Sequence, residues 1–274
     1  MKKILTCLLA AFGLTTACGQ GTYETDVFKT KSGKEVTFHA LVHASIRIQY
    51  DGKEIQIDPV TKLGNKVIDY STMPQADYLL VTHEHGDHFD KEAIKLLTSK
   101  NTQLVMNKRC AEMYDGKCAV LQNDQKATLG AIKVEAVPAY NTTEGRTQFH
   151  PKGRDNGYIL TIDGLRIYIA GDTEDIPEMS AIKNIDIAFL PCNQPYTMTT
   201  EQLVRAARTI KPKVLFPYHY GQTDVSGIPA QLVKAARTIK PKVLFPYHYG
   251  QTDVSGLPEQ LKGDGIDVRI RHYE

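Results

Sequence analysis

The chain has 274 residues, of which 42% are hydrophobic and 23% are charged, and its formal net charge is +2. This length allows one large domain or two small ones with a substantial core, and the composition excludes a disordered or fibrous protein. Without Lys2 and Lys3, which lie in an N-terminal leader, 31 basic residues balance 31 acidic ones. Because nucleic-acid-binding proteins usually carry a basic excess, we expect no nucleic-acid partner.

The N-terminus has the pattern of a secretory leader. Two lysines precede an apolar run over residues 4–14, and small residues follow up to Ala17. This pattern predicts a signal peptide over 1–17, which is too short for a transmembrane helix. Ala17 directly precedes Cys18, as in bacterial lipoproteins, whose first mature cysteine carries the lipid. We expect an exported lipoprotein that is anchored in the membrane only through Cys18. A protein exported to the periplasm without a lipid is the next alternative, and a protein anchored by an uncleaved leader is the last.

A polar tether is predicted over 18–34, followed by one domain over 35–274. The later cysteines include Cys110 and Cys118, which are close in sequence. Export permits a disulfide between them, and small buried side chains are an equally good interpretation.

Alternating and apolar runs predict a mixed α/β (α+β) domain. Asp51-Gly52 and Asp163-Gly164 are hairpin turns, and residues 91–98 have helical spacing. The remaining apolar segments predict strands over 35–50, 54–57, 78–82, 103–106, 132–137, 158–162, 165–170, 185–190 and 266–270.

A long internal repeat interrupts this pattern. Residues 203–231 and 232–260 differ at only three of 29 positions. Two copies are too few for a solenoid, so we interpret them as a recent tandem duplication of one helix-strand unit, or as an error in the sequence. If the second copy is surplus, its Val-Leu-Phe run needs covering, which predicts packing on the domain edge or self-association.

The strongest chemical signal is the segment HEHGDH at residues 83–88. Its four potential ligands, His83, His85, Asp87 and His88, directly follow a predicted buried strand. Imidazole and carboxylate groups are ligands that zinc and similar divalent cations prefer. The first two histidines can face one metal position while Asp87 and His88 face a second.

This segment resembles the HxHxDH signature of the metallo-β-lactamase superfamily of metal-dependent hydrolases. The resemblance continues at Val42-His43-Ala44-Ser45 with Asp58-Pro59, at Ala170-Gly171-Asp172-Thr173 and at the FPYHYG segment around His219. The branch most resembled includes the ascorbate-phosphate lactonases and the phospholipase D that acts on N-acyl phosphatidylethanolamines. The resemblance implies a four-layer αββα sandwich with two divalent metal ions, zinc by default and manganese or iron as alternatives.

The resemblance also implies a ligand set. His83 and His85 would bind the first metal, Asp87 and His88 the second, and Asp172 would bridge the two. The third ligand of the first metal is His150 or Asn141, and we favour His150 because imidazole is the better zinc ligand. The remaining ligand of the second metal is one histidine of the repeat, His219 or His248, and we favour the first copy.

Other residues are candidates for the substrate pocket. His43 is expected to be a substrate-contacting or supporting group, with a purely structural role as the alternative. Tyr140, Tyr196 and Tyr218 are candidate pocket walls, and Asn141 would contact substrate if it does not bind metal.

Together these features predict an exported hydrolase in which a metal-bound hydroxide attacks an ester, lactone or phosphodiester of a small molecule or lipid. Asp87 would bind metal and orient the nucleophile or carry its proton. The alternatives are a nuclease or phosphodiesterase and a non-catalytic metal-binding surface lipoprotein. The sequence leaves the oligomeric state open.

Overall fold

A computed structural model describes residues 25–219, 233, 236, 237, 239–245 and 255–270. In chain order its strands are β1 (Thr25–Lys29), β2 (Glu35–Val42), β3 (Ser45–Tyr50), β4 (Lys53–Ile57), β5 (Lys62–Leu63), β6 (Lys66–Val67), β7 (Tyr78–Val81), β8 (Gln103–Met106), β9 (Ala119–Val120), β10 (Lys126–Leu129), β11 (Ile132–Ala139), β12 (Asp155–Ile162), β13 (Leu165–Ile169), β14 (Ile187–Pro191), β15 (Val214–Tyr218), β16 (Val243–Leu244) and β17 (Asp267–Val268). Its α-helices are α1 (Lys91–Leu97), α2 (Lys108–Met113), α3 (Thr200–Ile210) and α4 (Leu257–Leu261), and short 3₁₀ turns cover Tyr70–Thr72, Pro177–Ala181 and Lys262–Asp264.

Two large sheets form the centre of the domain. Within the described residues, the first has the order β1-β2-β3-β4-β7-β8-β9 and the second runs in sequence order from β10 to β17. In each sheet the early strands are antiparallel hairpins, and the later ones, from β4 and from β13 onward, are parallel. The hairpin turns predicted at Asp51-Gly52 and Asp163-Gly164 are confirmed.

The side chains of β7 show how the layers are arranged. Leu80 packs in the core between the two sheets, whereas Leu79 and Val81 face outward and pack against α1. This alternation follows from the two-residue period of a strand. On the far side of the second sheet, α3 buries Leu203 and Ala207 against residues of β14. Helices therefore cover both outer faces, and the predicted four-layer αββα arrangement is confirmed.

Two differences from the predicted elements have simple causes. The predicted strand 35–50 is a hairpin that turns at His43 and Ala44, because His43 adopts a left-handed backbone conformation with φ of 53°. The predicted tether 18–34 contains β1, so its second half belongs to the domain. Within the described residues this edge strand pairs with β2 alone, and its Val27 is 47% exposed, so its apolar pattern is weak.

The repeat extends the second sheet in register. The equivalent positions of its two copies pair directly, Val214 with Val243 and Leu215 with Leu244. The next equivalent pair, Phe216 and Phe245, stacks with ring centroids 4.4 Å apart and planes 5° from parallel, and Phe245 is fully buried. The Val-Leu-Phe run of the second copy is thus packed on the domain edge, which was one of the two expected outcomes.

The cysteines of the domain are free thiols. Cys110 is buried beside α1 and the first sheet, Cys118 is half-buried, and Cys192 is buried under α3. Burial raises the pKa of each thiol, so these cysteines are weak nucleophiles and pack as small apolar side chains. Among the described residues, no helix is both long and apolar enough to cross a bilayer.

The stacking of the two copies predicts a stability effect. Phe245→Ala should lower the free energy of unfolding by about 3 kcal/mol, because it empties a fully buried ring site between Phe216 and Phe28. Urea denaturation followed by circular dichroism measures this change. Phe245→Leu keeps most of the volume and should lose only about 1 kcal/mol. A loss below about 0.5 kcal/mol for the alanine variant would mean that the second copy does not belong to the core.

Candidate metal centre

The polar residues of the site gather where parallel strands end. Asp58 follows β4, the segment 83–88 follows β7, Asp172 follows β13 by three residues, and His219 follows β15. Each of these strands is parallel to a neighbour, and the carboxyl ends of parallel strands lie at the same edge of a sheet. The fold thereby brings residues up to 161 positions apart in sequence into one buried cluster.

The first donor group contains His83, His85, His150 and Asp172. Their ligand atoms all lie within 4.8 Å of one another. His83 Nε2 is 3.1 Å from His85 Nδ1, and His150 Nε2 is 3.4 Å from Asp172 Oδ2. His83 and His150 are essentially inaccessible to solvent, whereas His85 is partly exposed.

The second donor group contains Asp87, His88 and His219, and His43 joins it. His219 Nε2 lies 3.0 Å from His88 Nε2 and 3.4 Å from Asp87 Oδ2. His219 has a left-handed backbone with φ of 60° directly after β15. His248, the equivalent position in the second repeat copy, lies outside the described residues.

The carboxylate of Asp172 lies between the two groups. Its Oδ2 is 3.8 Å from His83 Nε2 on one side, and its Oδ1 is 3.3 Å from both His88 Nε2 and His219 Nε2 on the other. Asp172 is 2% exposed, and no well-aligned hydrogen-bond donor to Oδ1 is found in the described part of the chain. A buried carboxylate oxygen in this position, beside two imidazole nitrogens, is suited to bind a cation that the imidazoles also bind.

The spacing of the donors fits a metal. Zinc binds imidazole nitrogen and carboxylate oxygen at about 2.0–2.2 Å, so two donors of one tetrahedral ion lie about 3.4 Å apart. The donor pairs at Asp172, His219 and His88 are separated by 3.0–3.3 Å, and in the first group His83–His85 and His150–Asp172 are separated by 3.1 and 3.4 Å. Both groups therefore have the size and the chemistry of a divalent-cation site.

The pKa shifts within the cluster also favour the binding of a cation. Burial lowers the pKa of His83 well below its ordinary value, so this imidazole is neutral, the form that binds metal. Burial disfavours the ionised form of Asp172, but the imidazoles of His219 and His88 hold its pKa well below the usual range. Burial likewise opposes protonation of His88, yet the carboxylates of Asp172 and Asp87 raise its pKa well above that of free histidine. The buried carboxylates thus attract positive charge.

Hydrogen bonds outside the cluster orient the ligands. Asp58 is fully buried and accepts hydrogen bonds from the backbone N–H and the hydroxyl of Thr82, both at 2.7 Å, and from His88 Nδ1 at 2.8 Å. Because the Thr82 hydroxyl donates to Asp58, its oxygen is free to accept from His83 Nδ1, 3.0 Å away. These bonds leave Nε2 of both histidines directed at the cluster.

Asp155 has the same function at the first donor group. Its Oδ2 accepts from His150 Nδ1 at 3.0 Å, and the guanidinium of Arg154 pairs with the same carboxylate. The sequence alone predicted no role for Asp58 or Asp155. Asp58 had a signal, the Asp-Pro pair at the end of a predicted strand, but Asp155 had none.

The structure separates the two candidates for the third ligand of the first metal. His150 lies in the first donor group, whereas the side-chain amide of Asn141 is bonded to loop carbonyls. The side-chain amide of Asn141 donates to the carbonyls of Arg146 and Tyr196, at 3.2 and 2.7 Å, and its backbone N–H donates to the carbonyl of His150 at 2.8 Å. Asn141 therefore holds the loop that carries His150.

The tyrosines predicted to line a pocket lie in three different environments. The Tyr140 hydroxyl donates to Glu178 at 2.8 Å and accepts from Lys152 at 3.2 Å, so its hydrogen bonds are made within the protein. Tyr196 is 45% exposed and makes an edge-to-face contact with Phe149, the neighbour of His150 in sequence. Tyr218 is fully buried in the core between the sheets, so the expectation that it forms a pocket wall is wrong.

Comparison with known proteins decides the family. The family model described as the beta-lactamase superfamily domain matches residues 35–219. The chain belongs to the metallo-β-lactamase superfamily. A metal-dependent hydrolase from Pyrococcus furiosus is 32% identical over 196 residues, which cover 68% of this chain and 84% of that protein. One from Ligilactobacillus salivarius is 33% identical over 197 residues, with coverage of 68% and 84%.

Solved structures agree with this membership. The crystal structure of a protein from Parabacteroides distasonis, assigned as a metal-dependent hydrolase, is 47% identical with a TM-score of 0.74, over 92% of this chain and 100% of that one. Igni18, a metallo hydrolase from Ignicoccus hospitalis, is 22% identical with a TM-score of 0.61 over 86% and 95% of the two chains, which shows the shared fold. The chain is therefore a metal-dependent hydrolase of the superfamily, and the family match ends at His219 in the first repeat copy.

Substitution of the two repeat histidines tests which copy supplies the ligand of the second metal. His219→Ala should remove about one metal per chain, because it deletes a donor that faces His88 and Asp172. His248→Ala is the matched control in an almost identical sequence context and should keep the wild-type metal content. Elemental mass spectrometry of purified protein measures both. Full metal in both variants would show that the copies substitute for one another.

The buried carboxylate of Asp58 gives a second test. Asp58→Asn keeps the shape but replaces the acceptor of the His88 N–H with an uncharged amide, so metal affinity should fall about 10- to 100-fold. Chelator competition measures the affinity. Asp163→Asn is the control, since that carboxylate lies in the exposed β12–β13 turn and accepts from Thr30 and Ser32. An unchanged affinity in Asp58→Asn would contradict the orienting role.

Proposed function

We propose that the chain is an exported hydrolase with two divalent metal ions, which cleaves an ester, lactone or phosphodiester bond in a small molecule or lipid. The observation that carries the proposal is the position of Asp172, whose two carboxylate oxygens face two different groups of histidines. One carboxylate shared in this way matches a pair of ions better than a single ion. Ligand type favours zinc, with manganese or iron as alternatives.

Each group would hold one ion. His83, His85 and His150 would bind the first, Asp87, His88 and His219 the second, and Asp172 both. When bound, the ions supply Lewis acidity that polarises the scissile bond and makes water a nucleophile at neutral pH. The protein's own contribution is to fix the imidazoles through Asp58, Thr82 and Asp155 and to keep most of the donors out of bulk water.

Asp87 differs from the other carboxylate of the centre. Its side chain is 32% exposed, whereas that of Asp172 is 3% exposed. An accessible carboxylate at the centre can contact the incoming substrate or water, orient it and accept a proton from it. We therefore assign Asp87 the catalytic role, in addition to its place in the second donor group.

The surroundings of the site support a substrate with an apolar part. Near the His150 loop lie the exposed ring of Tyr196 and the ring of Phe149 that it contacts at 5.0 Å. The balanced charge of the chain after its leader gives no general attraction for polyanions. The leader over 1–17 and Cys18 support export, to the periplasm or to a lipid anchor in the membrane.

Metal content tests the binuclear centre. Leaderless wild-type protein should contain about two metal ions per chain, and Asp172→Ala should lose at least one, because it removes a donor to both positions. Asp175→Ala is the matched control: it lies in the same loop, but its carboxylate pairs with Arg205 outside both donor groups. A wild type with one ion or none after refolding with excess zinc would contradict the proposal.

Substrate screening completes this test. The metal-loaded protein should hydrolyse at least one chromogenic ester, lactone or phosphodiester, with activity lost in Asp172→Ala and retained in Asp175→Ala. Two bound metals without turnover on the whole panel would favour the non-catalytic lipoprotein instead. Cleavage of nucleic acid with no ester or lactone activity would favour the nuclease.

A further inference from the structure

His43 reaches the metal centre from the opposite sheet. It lies at the turn between β2 and β3 of the first sheet, whereas His219 follows β15 of the second. The rings of these two histidines have centroids only 3.7 Å apart. His43 is 3% exposed and has a φ of 53°, a backbone conformation that disfavours most side chains. A buried, strained histidine at this position points to a function in the site.

The contact that defines this function is with Asp87. His43 Nε2 lies 3.1 Å from Asp87 Oδ2, a normal hydrogen-bond distance. The same oxygen is 3.4 Å from His219 Nε2, so it is the oxygen that faces the second donor group. His43 therefore contacts the metal-facing oxygen of the catalytic carboxylate.

Asp87 needs such support more than the other donors do. With 32% of its side chain exposed, it is less confined by packing than His88, His219 or Asp172, whose side chains are at most 3% exposed. A free carboxylate side chain has several rotamers, and fixing one of them requires a partner. His43 is such a partner, because its Nε2 lies 3.1 Å from Asp87 Oδ2 and its own side chain is almost fully buried.

We propose that His43 is a positioning residue, which donates a hydrogen bond from Nε2 to Asp87 and holds that carboxylate in its metal-facing rotamer. This inference rests on the proposed binuclear function. It assigns His43 no direct bond to the metal, because His88, His219, Asp87 and Asp172 already surround the second position at spacings of 3.0–3.4 Å. Supporting hydrogen bonds of this kind change metal affinity or activity about 10- to 100-fold when they are removed.

Three variants test the inference. His43→Gln keeps a donor near the position of Nε2, and His43→Leu removes it while requiring the same backbone conformation. His39→Gln is the control, because His39 lies on β2, four residues before His43, and contacts Gln49 instead of the centre. The measurements are metal content, cobalt affinity by chelator competition and the visible absorption spectrum of the cobalt-loaded protein, which reports the ligands directly.

We expect two metals per chain in all variants at saturation. His43→Leu should bind the second cobalt ion about 10- to 100-fold more weakly, and His43→Gln should recover most of that loss with an unchanged cobalt spectrum. Loss of the second metal in both His43 variants, with an altered spectrum in His43→Gln, would make His43 a ligand and overturn the inference. Wild-type affinity in His43→Leu would also overturn it. A wild type that never binds two metals would instead refute the binuclear function itself.

Discussion

The structure is organised around buried negative charge. Asp172 is almost completely removed from solvent, and Asp87 is partly removed, within a cluster of six imidazoles. Burying an ionised carboxylate costs several kcal/mol unless a positive charge compensates it. Burial keeps His83 and His43 unprotonated, the latter with a pKa of about 3, whereas the carboxylates of Asp172 and Asp87 raise the pKa of His88 well above its ordinary value. The carboxylates therefore favour positive charge in the cluster, and the spacing of the donors around Asp172 fits a divalent cation.

Several residues at the site have strained backbone conformations. His43, Asp58 and His219 all have positive φ, and each occupies the point where the chain leaves a strand for the site. Such conformations cost about 1–3 kcal/mol each and persist only where the surroundings impose them. Gly171, directly before Asp172, has a φ of 65°, and an added Cβ would lie 2.7 Å from the carbonyl oxygen of Asn156. This position therefore requires glycine. The two packed sheets supply the rigidity that holds these turns.

Residue spacing predicted the local part of the site, and the family resemblance added Asp172, His150 and His219. HEHGDH contains four donors in six residues next to a recognisable strand, and the strands themselves follow from runs of apolar residues. The orienting carboxylates could not be identified in this way, because Asp58 acts on His88 across 30 positions and Asp155 has no flanking motif. The role of His43 is likewise set by a tertiary contact, 44 positions from Asp87. Pairing between distant strands brings these groups together, and sequence spacing does not record it.

The repeat shows why the fold can accept a whole extra unit. The second sheet ends in parallel strands. Each strand after β13 pairs on its inner side with the preceding strand, and the strand of the next helix-strand unit can pair with its outer side. A duplicated unit carries the same side chains as its neighbour, so Val243 and Leu244 pair with their own equivalents and Phe245 continues the stack of Phe189 and Phe216.

The position of the second repeat copy also matters for the site. β15 has β14 as its inner neighbour, so Tyr218 pairs with Pro191 and His219 lies close to Asp172. The added strand pairs only on the outer side of β15, away from the strands that carry Asp172 and the histidines of the first sheet. The second copy therefore adds a strand at the outer edge of the second sheet, beyond the strands that position the metal donors, and enlarges the core there.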